Sequence, residues 1–193
     1  MPIITLIYDI PSKDVLELSE ILHNAISEYG EHRLLSDIVQ GESVDVIKNI
    51  FEQCLSKIEK EDVKPDTPVT ISEGIMHFLL TAAMIPSKRK TVFQSVDIDI
   101  AVPDTVTLGS SPQDVIVIYF PKTGDINIIK SQVEKMKKIQ PNQNNIWVVL
   151  ENDIPLDSKT YTLKGSMTFS NIINDLIGFT SGKKQSKLKI FKI

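Results

Sequence analysis

Val96-Asp97-Ile98-Asp99-Ile100-Ala101-Val102 and Asp114-Val115-Ile116-Val117-Ile118-Tyr119-Phe120, the latter followed by Pro121-Lys122, decide how the chain is read. In the first run every even position is a β-branched apolar residue. It therefore reads as a strand that buries one face and leaves Asp97, Asp99 and Ala101 on the other. Gly109-Ser110-Ser111-Pro112 is a turn signal. The second run is apolar without alternation, as in a strand covered on both sides.

Downstream, Gly124-Asp125 begins a turn, and residues 128–139 show helical spacing, with Ile129, Val133, Met136 and Ile139 inward. Residues 146–150 (IWVVL) form another buried strand. Strand, helix, strand at this spacing predicts a parallel crossover unit. Residues 160–163 predict a weaker strand. Ser170 is placed to cap a last helix containing Ile172, Ile173, Leu176 and Ile177, ended by Gly178.

Upstream, residues 3–8 (IITLIY) read as a strand, and helices are expected over 13–29, 33–39 and 43–61. Pro65 and Pro68, after the acidic Glu59-Lys60-Glu61-Asp62 run, mark a linker. Thr70-Ile71-Ser72-Glu73 then opens a helix running to about Ile85, and a strand is expected over 91–102. The expected architecture is an α/β fold: a mixed sheet with a parallel β-α-β unit, flanked by helices, and a helix-rich N-terminal part. Its divisions are a helix-rich part at 1–64, an α/β core at 65–180 and a basic tail at 181–193.

Composition limits the function. With 41% hydrophobic and 24% charged residues in 193, the chain can bury a sizeable core. No apolar run approaches the roughly 20 residues that span a bilayer, and no signal peptide is evident, so no membrane partner and a cytoplasmic location are expected. Cys54 is the single cysteine, which excludes an internal disulfide framework. The net charge is −4, yet the last 13 residues carry five lysines and no acid, leaving 16 basic against 25 acidic side chains before them. An acidic body disfavours a broad nucleic-acid surface, although a local basic groove is compatible with it. His23, His32 and His77 are scattered, so no zinc spacing exists. Phosphate loops, nucleophile elbows and dinucleotide fingerprints are absent too.

From Glu73 to Leu150 the order is helix, strands, helix, strand, with a helix-borne Glu, then Asp, then Lys. That order resembles the core of the restriction-endonuclease-like nucleases, the PD-(D/E)xK superfamily. The resemblance implies Mg²⁺ held by carboxylates and a lysine that stabilises charge at the attacked phosphate. It assigns Glu73 as the helix acid and Pro103-Asp104, or less literally Asp99, as the PD and metal ligand. Lys122 becomes the final lysine. The triplet reads Phe120-Pro121-Lys122, so a carboxylate is missing, with Asp114 and Asp125 as possible substitutes. A catalytically degenerate site is therefore expected, with no cofactor unless Mg²⁺ serves an intact one.

These residues also have ordinary structural readings. Glu73, three after Thr70, would complete a capping box. Asp97 and Asp99 would be the wet face of a strand, while Asp104 and Lys122 would lie in turns. At the C-terminus, Gln185, Leu188 and Phe191 resemble the peptide by which proteins dock on the sliding clamp of DNA replication, with Lys192 in place of its second aromatic. The alternative for this tail is a lysine-flanked edge strand. The expected function is an interaction protein, a degenerate nuclease-like accessory factor in DNA replication or repair. A Mg²⁺-dependent nuclease, and an assembly protein with no nucleic-acid role, are the alternatives.

Overall fold

A computed structural model describes residues 13–58 and 64–189. The expected strand at 3–8, the acidic run at 59–62 and Phe191 lie outside the described residues. Four helices come first: α1 (Lys13–Tyr29), α2 (Glu31–Gln40), α3 (Ser43–Lys57) and α4 (Thr67–Ala82). Strands β1 (Lys88–Phe93) and β2 (Val96–Val102), the short helix α5 (Thr105–Ser110) and β3 (Ile116–Tyr119) follow. Helix α6 (Ile126–Ile139), β4 (Ile146–Leu150), β5 (Lys159–Thr162) and α7 (Ile172–Lys189) complete the fold.

The five strands make one mixed sheet in the order β1-β2-β3-β4-β5. The pairs β1/β2 and β2/β3 are antiparallel, while β3/β4 and β4/β5 are parallel. The β3-α6-β4 crossover is thus the expected parallel unit. Two apolar layers sandwich the sheet. Ile129, Val133, Met136 and Ile139 of α6 pack on Val117, Ile146, Val148 and Leu150. On the other face, side chains of α1 to α4 and α7 share a core with Ile100, Val102, Ile118, Phe120, Trp147 and Val149. Because β3 and β4 are covered on both faces, they read as unbroken apolar runs.

Helix α4 occupies the middle of the helical layer, touching α1, α3, α7 and β4. Its apolar residues run nearly all round, as suits a helix with little solvent face. A Cβ at Gly74 would meet the Leu22 side chain at 2.9 Å, so glycine there lets α1 approach closely. Helix α4 starts three residues before the sequence placed it, because Pro68 fits the first turn, where no N–H is needed. Thr70 is consequently inside the helix, its hydroxyl donating to the Asp66 carbonyl, and Glu73 is no capping-box partner.

Three further expectations fail. The strand expected at 91–102 is a hairpin, turned at Gln94 and Ser95 with φ of 49° and 64°. Strand β2 also does not bury its even positions on one face. Val96 and Ile98 join the α6 side, whereas Ile100 and Val102 join the helical side. The change of face falls at Asp99. Opposite it, between the pairs Arg89–Ile100 and Thr91–Ile98, Lys90 has φ +44°. Finally, α7 runs through Gly178 and Gly182 to Lys189, so the tail over 181–189 is helical and not an edge strand. Among the described residues, no helix is long and apolar enough to cross a membrane.

Both hairpin-turn residues sit in the left-handed region, which costs ordinary residues roughly 1 kcal/mol. Replacing Gln94-Ser95 by Asn-Gly should raise stability by about 1 kcal/mol. Urea unfolding checks this. An unchanged or lower midpoint would contradict the turn geometry.

Candidate functional site

Glu73 points from α4 toward the sheet, and its side chain is only 8% exposed. A buried carboxylate is costly without countercharge. Two lysines supply it. Lys122, just beyond β3, places Nζ 2.7 Å from Oε2, and Lys90 of β1 places Nζ 2.6 Å from Oε1. Oε1 has that ammonium as its charge partner. Lys122 Nζ also donates to Thr70 Oγ1 at 3.3 Å, which uses the hydroxyl that the shifted helix start left inside α4.

Asp99 lies beside this triad. Its Oδ2 accepts the Phe120 backbone N–H at 2.8 Å. It is half-buried, and not on a wet face as the alternation suggested; Asp97 is exposed. Burial drives the Asp99 carboxyl above its ordinary value against the Phe120 N–H, and the Glu73 charge adds to the rise. For Glu73, burial also pushes upward, but the ammonium groups of Lys122 and Lys90 outweigh it and hold the carboxyl below its ordinary value. His77, one turn along α4, is depressed to about 4 by burial and by Arg89, against the pull of Glu73.

Of the four residues expected to be catalytic, Glu73, Asp99 and Lys122 come together. Asp104 does not join them. It follows β2 where Val102 pairs with Ile116, at the start of β3, whereas Lys122 follows the end of β3. Its Oδ1 caps α5 by accepting the Thr107 N–H at 2.7 Å. The literal Pro-Asp match therefore fails, and Asp99 is the acid beside Glu73. Asp125 is no substitute carboxylate, since it caps α6 through Asn127. Asp114 lies in a turn preceding β3, far from Lys122 along the strand. Lys90 was missed because the sequence placed the strand start at residue 91. The Lys88-Arg89-Lys90 run was the available signal.

The residues do not fit the Mg²⁺ that the nuclease resemblance implies. Each Glu73 oxygen faces an ammonium, and one Asp99 oxygen holds a backbone N–H. The side chain at 120 is a phenyl group, 1% exposed, inside the core. Among the described residues, no group of three or more His, Cys, Asp or Glu side chains could hold a metal ion. Chemically, the arrangement fixes two ammonium groups at the solvent edge: the Lys90 side chain is 53% exposed and that of Lys122 is 35%. An ion-paired Glu73 makes a poor general base.

A separate polar cluster ties β5 to α7. Lys159 Nζ lies 4.7 Å from the Trp147 ring centroid and 2.7 Å from Asp175 Oδ2, which also accepts the Tyr161 hydroxyl at 2.7 Å. Comparison with family models, with curated proteins and with solved structures finds no match to this chain.

Two outcomes follow from this geometry. Phe120→Asp, which restores the triplet on paper, should destabilise by about 3–5 kcal/mol, because an unpaired carboxylate replaces a core phenyl. Urea unfolding that shows a loss under 1 kcal/mol would contradict the placement of Phe120. For His77, the folded value near 4 lies below the ordinary 6.5. The unfolded chain thus takes the proton first, and this contribution to stability is complete above pH 6.5 and falls away toward pH 4. The difference between wild type and His77→Gln should show that slope in unfolding midpoints measured from pH 7 to 4. A flat difference would contradict it.

Proposed function

We propose that this protein is a non-catalytic interaction module, with a core arranged like a nuclease's and a degenerate site, acting beside the DNA replication or repair machinery. One observation carries the non-catalytic part: both oxygens of Glu73 are held by Lys90 and Lys122 while position 120 is a core phenylalanine. The order α4, β1, β2, α5, β3, α6, β4 supports the nuclease-like reading in so far as it keeps the sequence helix, strands, helix, strand. The replication link draws its support from the C-terminal sequence. Gln185 and Leu188 fall within α7, whose backbone continues to Lys189, and with Phe191 they supply three positions of a clamp-binding peptide. In such a peptide Leu188 and Phe191 fill an apolar pocket, while the surrounding lysines speed encounter with an acidic partner.

A Mg²⁺-dependent nuclease is the second reading. It draws on the meeting of Glu73, Asp99 and Lys122 at one place.

Incubation of the purified chain with single- and double-stranded DNA and RNA, in Mg²⁺ or Mn²⁺, separates the two. The module should leave all substrates intact. Cleavage that is abolished by Lys122→Ala would establish the nuclease. For the partner, calorimetry of the full chain against the sliding clamp of the same organism should show binding that Phe191→Ala removes. Absence of heat at high micromolar protein would discard the clamp and leave an assembly role without nucleic acid.

A further inference from the structure

A cleft of about 640 Å³ opens between α7 and the amino ends of β4 and β5, and it shares no residue with the Glu73 site. We infer that this cleft binds a small zwitterion, namely a free α-amino acid with an apolar side chain. Its size falls within the range of small-molecule sites, roughly 300–1,000 Å³. Two opposite charges sit side by side in its wall. Lys159 Nζ and Asp175 Oδ2 lie 2.7 Å apart, and their side chains are 39% and 41% exposed. The ammonium is held in place over two rings, 4.7 Å from the Trp147 centroid and 5.2 Å from that of Tyr161. Asp175 is held as well, because Oδ2 also accepts the Tyr161 hydroxyl. Neither group is saturated by the pair. An ammonium has three donors, and Asp175 Oδ1 has no hydrogen-bond partner among the described residues.

This charge pattern selects the ligand. A simple anion at Lys159 would meet the Asp175 carboxylate, and a simple cation at Asp175 would meet the ammonium. A zwitterion sets its carboxylate on Lys159 and its ammonium on Asp175 Oδ1, which adds no net charge. Asp157, also in the wall, is already balanced by Lys137 at 3.1 Å. The exposed side-chain amides of Gln143 and Asn144 line the cleft without partners among the described residues, so they are open to the second carboxylate oxygen. Leu156 and Phe179, each only partly buried, give apolar wall against which a ligand side chain packs.

The chain supplies its own reporter, since Trp147 is its only tryptophan and lies under the Lys159 ammonium. L-Leucine is titrated into the full chain, with tryptophan emission and heat recorded together. Saturable binding with Kd at or below about 1 mM is expected. N-acetylleucine, which lacks the ammonium, and leucinamide, which lacks the carboxylate, should each bind about tenfold more weakly or worse. Glycine, which lacks the apolar side chain, should also lose about tenfold. Asp175→Asn should weaken leucine binding by about tenfold, with a melting transition that shows the variant folded. If that transition is lost, the double variant Gln143→Ala/Asn144→Ala on the exposed loop takes its place, with an expected loss of about threefold or more. Unchanged emission and no heat at about 10 mM leucine would overturn the inference. Any of the three analogues binding as well as leucine would do so too, as would a folded variant with unchanged affinity. The nucleic-acid and clamp assays stand apart from this outcome.

Discussion

A carboxylate carried into the middle of the molecule must be balanced, and much of the local structure follows from how Glu73 is balanced. Helix α4 is apolar nearly all round and lies between other helices and the sheet, so a charged side chain on its sheet-facing side loses most of its hydration. Removing one partner of such a pair commonly costs about 3–5 kcal/mol, since the other charge stays buried. The two ammonium groups come from different places, the edge strand β1 and the loop after β3. Through them, one side chain of the helical layer grips the sheet at two points separated in sequence.

That grip explains local irregularities that look unrelated. Strand β2 changes face at Asp99, and Lys90 takes a left-handed conformation opposite it. Together these turn a lysine of the edge strand inward to Glu73 and bring Asp99 to the Phe120 N–H. The same strand parity sends Phe120 into the helical core alongside Ile116 and Ile118. A carboxylate at 120 would therefore be desolvated without a cation, whereas Glu73 has two. The arrangement balances the charge of Glu73 and supplies no three-carboxylate ligand set among the described residues. By contrast, Lys159 and Asp175 meet where both are about 40% exposed, and their pairing with Trp147 and Tyr161 serves to dock α7 on β5.

Legibility in the sequence followed the strength of each physical signal. The β3-α6-β4 unit was readable because double-sided burial and 3.6-residue spacing are strong patterns. The α1 helix, expected over residues 13–29, has those bounds in the structure. The hairpin was hidden because Gln94 and Ser95 take left-handed conformations usually filled by Asn and Gly. The end of α7 was misplaced because glycine only weakens a helix, and a run rich in lysine and glutamine can continue through it. Within the site, Glu73, Asp99 and Lys122 were found by element order. Asp104 misled because a literal Pro-Asp pair outweighed the strand position of Asp99. Lys90 was missed because the strand was started one residue past it; the basic run at 88–90 marked it, but its partner depends on cross-strand register and a backbone irregularity.

The central claim is that Glu73 stays ionised because two lysines outweigh its burial. Nuclear magnetic resonance titration of the Glu73 side-chain carboxyl carbon tests this directly. The account predicts a pKa below the ordinary 4.5, and a rise toward or above it when both lysines are replaced by methionine. A Glu73 that titrates above 4.5 in the wild-type protein would contradict the account, since it would mean that burial prevails and the ammonium groups do not hold the charge.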